Sequence, residues 1–372
     1  GVDLDRVVDH EVRGHERVDL CRVAAQCRHR IAHRREVDHG GHTREVLEDA
    51  PPGDEGDLGA DQCPGVVGRN GVDIGRVHES PVEPADAGPY AIGRAEVTYV
   101  DASRRTEPPP GSGAPASAAR TLPVVILFPA TGAPGNAIVD DADPAPGRFP
   151  LVVYSHGVAS SGRERHEALA RWAAAGYVVL APTFPLSSLP WSDIRDLRSQ
   201  PADVGFVTDT FRSQVQDPTH PLYDHIRRDC LALAGHSMGG ATTLAASFDP
   251  CCDGLAPDAV IDIAGVAVNF TPDIAWSDSP AKPTLIVHGA LDSTVPVSHS
   301  REVFAGLPGA RWLVEYPGGQ HSSLFEPPEV EVLTASVVAF LDAQLKGAPS
   351  ALDSLPAVVE ASAIATVATA GR

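Results

Sequence analysis

From residue 89 onward the chain repeats one pattern, in which short unbroken apolar runs are separated by stretches long enough to hold a helix. Tyr90 to Ala102 alternates apolar and polar positions, as a half-buried strand does, and Leu122 to Pro129 is a β-rich run. Pro150 to Ser155 reads PLVVYS, and Tyr177 to Ala181, Leu231 to Ala234, Ala259 to Ala264, Thr284 to His288 and Trp312 to Tyr316 continue the series. Between the runs, Glu164 to Ala175 has helical spacing with Leu169 and Trp172 inward, and Ala241 to Ser247 suits a helix. Val330 to Leu345 makes an amphipathic closing helix. Strands that are apolar throughout need cover on both faces. The pattern therefore predicts an α/β fold over residues 88–346, with a mostly parallel central sheet flanked by helices. The tail over 347–372 is alanine-rich and lacks aromatic residues, which predicts a loosely attached segment.

Residues 1–87 break the pattern. The first 85 contain no Phe, Tyr, Trp or Lys, yet hold seven of the fifteen histidines. Without large side chains to bury, such a segment cannot offset the entropy of its own ordering. It reads as a disordered extension, or as upstream DNA of high GC content translated from a misplaced start. His29 and His33 have the helical spacing of metal ligands, but Arg28, Arg30, Arg34 and Arg35 surround them and repel a cation.

Composition narrows the function classes. A formal net charge of −20 excludes a nucleic-acid partner, because a phosphate backbone needs a basic face. No apolar run approaches the roughly 18 residues of a transmembrane helix. The chain opens on Gly1 with no charged-then-apolar leader, which leaves the compartment unassigned, with bacterial secretion the favoured option. Cys21, Cys27, Cys63, Cys230, Cys251 and Cys252 form no CxxC pair and no regular framework, so buried, inert thiols are expected. Oligomeric state is left open.

The chemistry centres on Gly235-His236-Ser237-Met238-Gly239, followed by Gly240. It lies directly after one apolar run and directly before a helix-compatible one, the strand–turn–helix setting in which G-x-S-x-G projects a serine hydroxyl from a strained turn. A serine nucleophile needs a base, and the base needs an orienting carboxylate. Asp292 follows the run Thr284–His288 and His321 follows the run Trp312–Tyr316, so three polar residues stand at the carboxyl ends of three parallel strands and meet on one sheet edge. Asp262, at the end of the preceding strand, is the competing acid, with a buried hydrogen-bonding partner as its plainer role. The oxyanion of acyl transfer needs two N–H donors. Met238, at a helix N-terminus, and Val158, in the loop Ser155 to Gly162, are the candidates. His156 and His236 are assigned to the pocket region, His156 as a residue that ties its loop down and His236 as a wall. Trp191, Phe270 and Trp276 lie in connecting segments, with Phe270 and Trp276 taken as substrate contacts.

At these residues the chain resembles the α/β-hydrolases. Ser155-His156-Gly157, the Gly235–Gly240 turn, the Asp292 loop and His321 look like the dienelactone-hydrolase-like and platelet-activating-factor-acetylhydrolase-like branch, as does Gly88-Pro89-Tyr90-Ala91-Ile92-Gly93. Pro283-Thr284-Leu285-Ile286-Val287 and the Asp292 loop further resemble bacterial cutinases and polyester hydrolases. The resemblance covers residues 88–346. Val158 stands where cutinase-type enzymes usually place an aromatic residue, and Ser237 where dienelactone hydrolases proper have cysteine. The acetylhydrolase pattern keeps Asp262 in play. The expected activity is that of a serine carboxylic-ester hydrolase using Ser237, Asp292 and His321, with no metal or organic cofactor. Short- to medium-chain acyl esters are the expected substrates, with polyesters and phospholipid acetyl esters as specialised alternatives. Peptidase or amidase action on the same triad is a second reading. A non-catalytic binding module is disfavoured, because all three triad residues are present.

Overall fold

The computed structural model describes residues 88–371 apart from 251, 253, 269 and 272–274; the expected extension over 1–87, with His29 and His33, lies outside the described residues. The strands are β1 (Ala91–Asp101), β2 (Arg120–Ala130), β3 (Ile138–Asp140), β4 (Phe149–Ser155), β5 (Val178–Pro182), β6 (Ile226–His236), β7 (Ala259–Ile263), β8 (Thr284–Gly289), β9 (Arg311–Tyr316) and β10 (Thr366–Ala370). The helices are α1 (His166–Ala174), α2 (Gln200–Gln214), α3 (Met238–Phe248), α4 (Ser298–Gly306), α5 (Glu329–Leu345) and α6 (Ser350–Ala361). One sheet runs in the order β10-β9-β8-β7-β6-β4-β5-β2-β1-β3. Its centre, from β5 through β4, β6, β7 and β8 to β9, is parallel throughout, while β2 joins β5 antiparallel and β10 joins β9 antiparallel.

The apolar runs are continuous because each central strand is covered on both faces. Val152 and Tyr154 of β4, Ala232 and Ala234 of β6, and Ile261 and Ile263 of β7 point to the core shared with α1, α5 and α6. The intervening Leu151, Val153, Leu231 and Leu233 point to the opposite core, where Val204, Val207 and Phe211 of α2 pack. Leu169 and Trp172 of α1 are fully buried, as their spacing predicts. The predicted strands and closing helix all form. β6, however, starts five residues before the predicted Leu231, because its polar opening Arg227-Arg228-Asp229 hides the strand from a hydrophobicity reading.

The tail is not loosely attached. Leu352, Leu355 and Val359 of α6 are buried in the α5 side of the core, and β10 pairs in register with β9 from Thr366↔Glu315 to Ala370↔Arg311. Three large aliphatic residues on one helical face are enough to dock a segment without aromatics, at roughly 1.5 to 3 kcal/mol each. Cys230 is buried and free, as expected of an inert thiol, whereas Cys252 takes part in a disulfide where a reduced thiol was the favoured of two options. Among the described residues no helix is long and apolar enough to cross a membrane.

Candidate active site

Ser237 stands between the end of β6 and the start of α3 with φ 58° and ψ −122°. A side chain other than glycine at positive φ costs about 1–3 kcal/mol, so the turn must be enforced by its surroundings. Here the Ser237 N–H donates to Ile263 O at 2.9 Å, and Ser237 O accepts from Ala241 N at 3.2 Å. The glycines of the motif have a steric reason. A Cβ on Gly235 would lie 2.0 Å from Gly239 O, and one on Gly239 would lie 2.0 Å from Ser155 O. The Ser237 turn is thus wedged against the end of β4.

Asp292 and His321 meet across the loops that follow β8 and β9. His321 Nδ1 lies 2.6 Å from Asp292 Oδ2. A carboxylate at this distance accepts, so Nδ1 carries the proton and Nε2 is left with its lone pair. Backbone pairing holds the two loops together through Leu291 N to Gly319 O at 2.9 Å and Ala290 N to Tyr316 O at 2.8 Å. Asp292 Oδ1 accepts from Thr294 N at 2.8 Å and Val295 N at 2.9 Å. His288, fully buried at the end of β8, adds a further contact, its Nε2 lying 3.2 Å from Asp292 Oδ2 and 2.8 Å from Val295 O. Burial alone would raise the Asp292 pKa. Hydrogen bonds from His288, His321 and the Val295 N–H outweigh burial and hold the carboxyl well below the usual range. Among the described residues no hydrogen bond joins Ser237 Oγ to His321.

His156 is fully buried and both its ring nitrogens are engaged. Nδ1 donates to Gly157 O at 2.6 Å, and Nε2 accepts from Phe184 N at 3.0 Å. It ties the loop down, as its place suggested, and has no nitrogen left for a substrate. His236 is also nearly buried. Its Nε2 donates to His321 O at 3.0 Å, its ring lies 4.6 Å from the His321 ring, and Phe325 packs edge-on to it at 5.0 Å. Burial holds His156 down to about 4 and His236 down to about 3, the latter helped by the nearby His321 and Arg165. Both are neutral at any ordinary pH. His236 therefore supports the His321 loop from beside the serine, a connection the sequence reading missed.

Val158 is half-buried on the turn after β4, and Met238 is the first residue of α3. The N–H groups of both lack a protein partner among the described residues. Next to Val158, Ala159 has φ 61° and donates to Ser187 O at 2.7 Å. Phe270 is half-buried in the segment between β7 and β8. Trp276, taken as a substrate contact, packs against Gly306 and the cluster of Leu244, Phe248, Val260, Ile286 and Val303, where it is part of the core's edge. Trp191 is one of the few exposed large apolar residues.

Asp262, the competing acid, is fully buried at the end of β7, where a Cβ on Gly240 would lie 2.4 Å from its Oδ1. The Gly265 N–H approaches it, but neither carboxyl oxygen closes a hydrogen bond of normal geometry. Burial pushes its pKa up to about 7 against the opposing pull of His288 and Gly265. The carboxylate that touches His321 is Asp292.

Residues 118–273 match the Chlorophyllase family, a stretch that includes Ser237 and ends before Asp292 and His321. No curated protein matches the chain. The family is α/β-hydrolase-like. Together with a large, mostly parallel sheet covered by helices on both faces, the match shows the α/β-hydrolase fold.

Proposed function

We propose that the chain is a serine carboxylic-ester hydrolase that works through an acyl-enzyme on short- to medium-chain acyl esters. The observation that carries this reading is the His321–Asp292 contact of 2.6 Å, which leaves His321 Nε2 unprotonated on the sheet edge where Ser237 is held at positive φ. Ser237 Oγ attacks the ester carbonyl carbon as its proton passes to His321 Nε2. Asp292, kept ionised by its hydrogen-bond donors, stabilises the imidazolium that forms. The carbonyl oxygen becomes an oxyanion between the N–H groups of Val158 and Met238. The tetrahedral adduct collapses, His321 returns the proton to the departing alkoxide, and the alcohol leaves. Water then gives a proton to Nε2 and attacks the acyl carbon. The second collapse restores Ser237 and releases the carboxylic acid. No step calls for a metal or an organic cofactor.

The substrate range is read from p-nitrophenyl esters of graded length, tested beside a polyester film, a phospholipid acetyl ester and a peptide amide. Turnover of the short esters that vanishes in Ser237→Ala supports the reading; turnover of the amide alone favours the peptidase alternative. Chlorophyll belongs in the same panel, because the Chlorophyllase match covers the nucleophile turn. Phe270, half-buried between β7 and β8, remains the proposed pocket wall.

A further inference from the structure

Gln200 opens α2, has no solvent exposure and takes no part in the chemistry proposed above. A buried primary amide is retained only with its hydrogen bonds made, since each lost partner costs about 1–3 kcal/mol. Both ends of this one are engaged, and they reach two different elements. Its Nε2 donates to Ser187 Oγ at 2.8 Å. Its Oε1 accepts from the Thr242 hydroxyl, which also lies 3.1 Å from Met238 O. Ser187 is the residue whose carbonyl takes the Ala159 N–H, beside Val158, and Thr242 sits one turn into α3, above Met238. The amide therefore spans from the segment that fixes the Val158 loop to the helix that carries the Met238 N–H.

The Ser187 end is itself anchored. Asp196 Oδ2 accepts from the N–H groups of Leu186 and Ser187, each at 3.1 Å, while its Oδ1 accepts from Arg120 at 2.9 Å. Arg120 is buried and also binds Asp203 on α2. Ala159, held at positive φ, needs such an external grip, because nothing in an alanine favours that backbone geometry.

We propose that Gln200 is a positioning residue that clamps the two halves of the oxyanion site, setting the separation of the Val158 and Met238 N–H groups. The proposal rests on the reading of those two groups as the oxyanion donors. A clamp of this kind acts on the tetrahedral state and leaves the ground-state fit of the ester alone. Misplacing a catalytic group by about 1 Å is enough for a hundredfold loss.

The test uses the full chain and compares Gln200→Leu, Ser187→Ala and Thr242→Val with the parent on a p-nitrophenyl ester. Each variant is also titrated with a boronic acid that forms an anionic tetrahedral adduct on the serine. The expected result for Gln200→Leu is a kcat lower by about tenfold to a hundredfold with KM changed less than threefold. Boronate affinity falls in the same proportion. Thr242→Val and Ser187→Ala each give part of the loss, and Thr242→Ser restores activity. A folded Gln200→Leu protein with parental kcat overturns the proposal, as does a KM rise at constant kcat. If Gln200→Leu does not fold, the two single-ended variants decide it by the same split between kcat and KM. Failure of the underlying reading is separate: the parent then shows no organophosphate labelling at Ser237.

Discussion

His288 Nε2 lies 3.2 Å from Asp292 Oδ2, the same carboxylate oxygen that accepts the His321 Nδ1 proton. Val295 O accepts from this Nε2 at 2.8 Å, and a carbonyl only accepts, so Nε2 is the protonated nitrogen of His288 and its N–H is shared with Asp292. Nδ1 of the same ring lies 2.6 Å from Ser300 Oγ on α4. The carboxylate is thus gripped from two sides, by one imidazole on the loop after β9 and one at the end of β8. His288→Phe removes the inner grip and leaves Ser300 without its partner. We expect kcat to drop about tenfold with KM unchanged, and stability to fall by about 1–3 kcal/mol. Ester kinetics and urea unfolding on the same preparation check both, and parental kcat would show that the inner imidazole is only structural.

Ser237→Ala keeps the strained turn, because alanine meets the same steric limits at φ 58°. Circular dichroism and urea midpoint therefore stay at parental values while turnover falls by up to about a million-fold. An organophosphate labels the parent once, at Ser237. A label on another serine assigns the nucleophile elsewhere.

The two carboxylates separate by their partners. Asp292→Asn replaces the acceptor of His321 Nδ1 with an amide and frees the wrong tautomer; a loss of about ten-thousand-fold in kcat is expected, by analogy with the same change in a serine protease. Asp262→Asn, which breaks no contact to His321, retains kcat within about tenfold. The opposite ranking moves the acid role to β7.

Asp262 also carries a pH signature. Its folded value of about 7 lies above the ordinary 3.8. Between these values the unfolded chain has lost the proton that the folded chain keeps, so this group makes stability fall as pH rises from about 4 to 7, by at most about 4 kcal/mol, and then level off. Unfolding free energies of parent and Asp262→Asn across this range diverge at low pH and converge toward pH 7 once their offset is removed. Parallel curves would mean the carboxyl is ionised in the native state.

On the proposed mechanism the acid limb of kcat/KM does not come from the two buried imidazoles near the serine turn. His156 and His236, held to about 4 and about 3, stay neutral above pH 5 and contribute nothing to that limb. A pH profile of kcat/KM in His236→Phe therefore keeps an acid limb of the same shape at reduced height. A limb that disappears in this variant reassigns the titrating group.

The triad candidates and the strands that carry them all follow Tyr90. A chain beginning at Glu83 is accordingly expected to be folded and as active as the full chain, as circular dichroism and ester kinetics on the two will read. Loss of folding, or a sharp change in ester preference, would assign residues 1–82 a structural part.

The order of strands and the serine turn were legible in the sequence because both depend on local rules. A strand covered on both faces must be apolar throughout, and a turn too tight for Cβ atoms must be built of glycine, so PLVVYS and Gly235–Gly239 announce themselves. Asp292 and His321 were legible for a related reason, as polar residues directly after apolar strands on the carboxyl edge. The tail was misread because its docking rests on three aliphatic residues whose partners lie in α5 and β9. α2 was not identified as a helix, since Gln200, Asp203 and Thr208 are polar residues on its buried side and blur the apolar stripe of Val204, Val207 and Phe211. The grip of His288 on Asp292, the support His236 gives to the His321 loop, and the span of Gln200 between Ser187 and Thr242 came only from the tertiary structure. The last two are polar contacts between segments far apart in the chain that only packing brings together, and the first depends on how the loop after β8 turns back on its own strand; no periodicity in the chain encodes a distance.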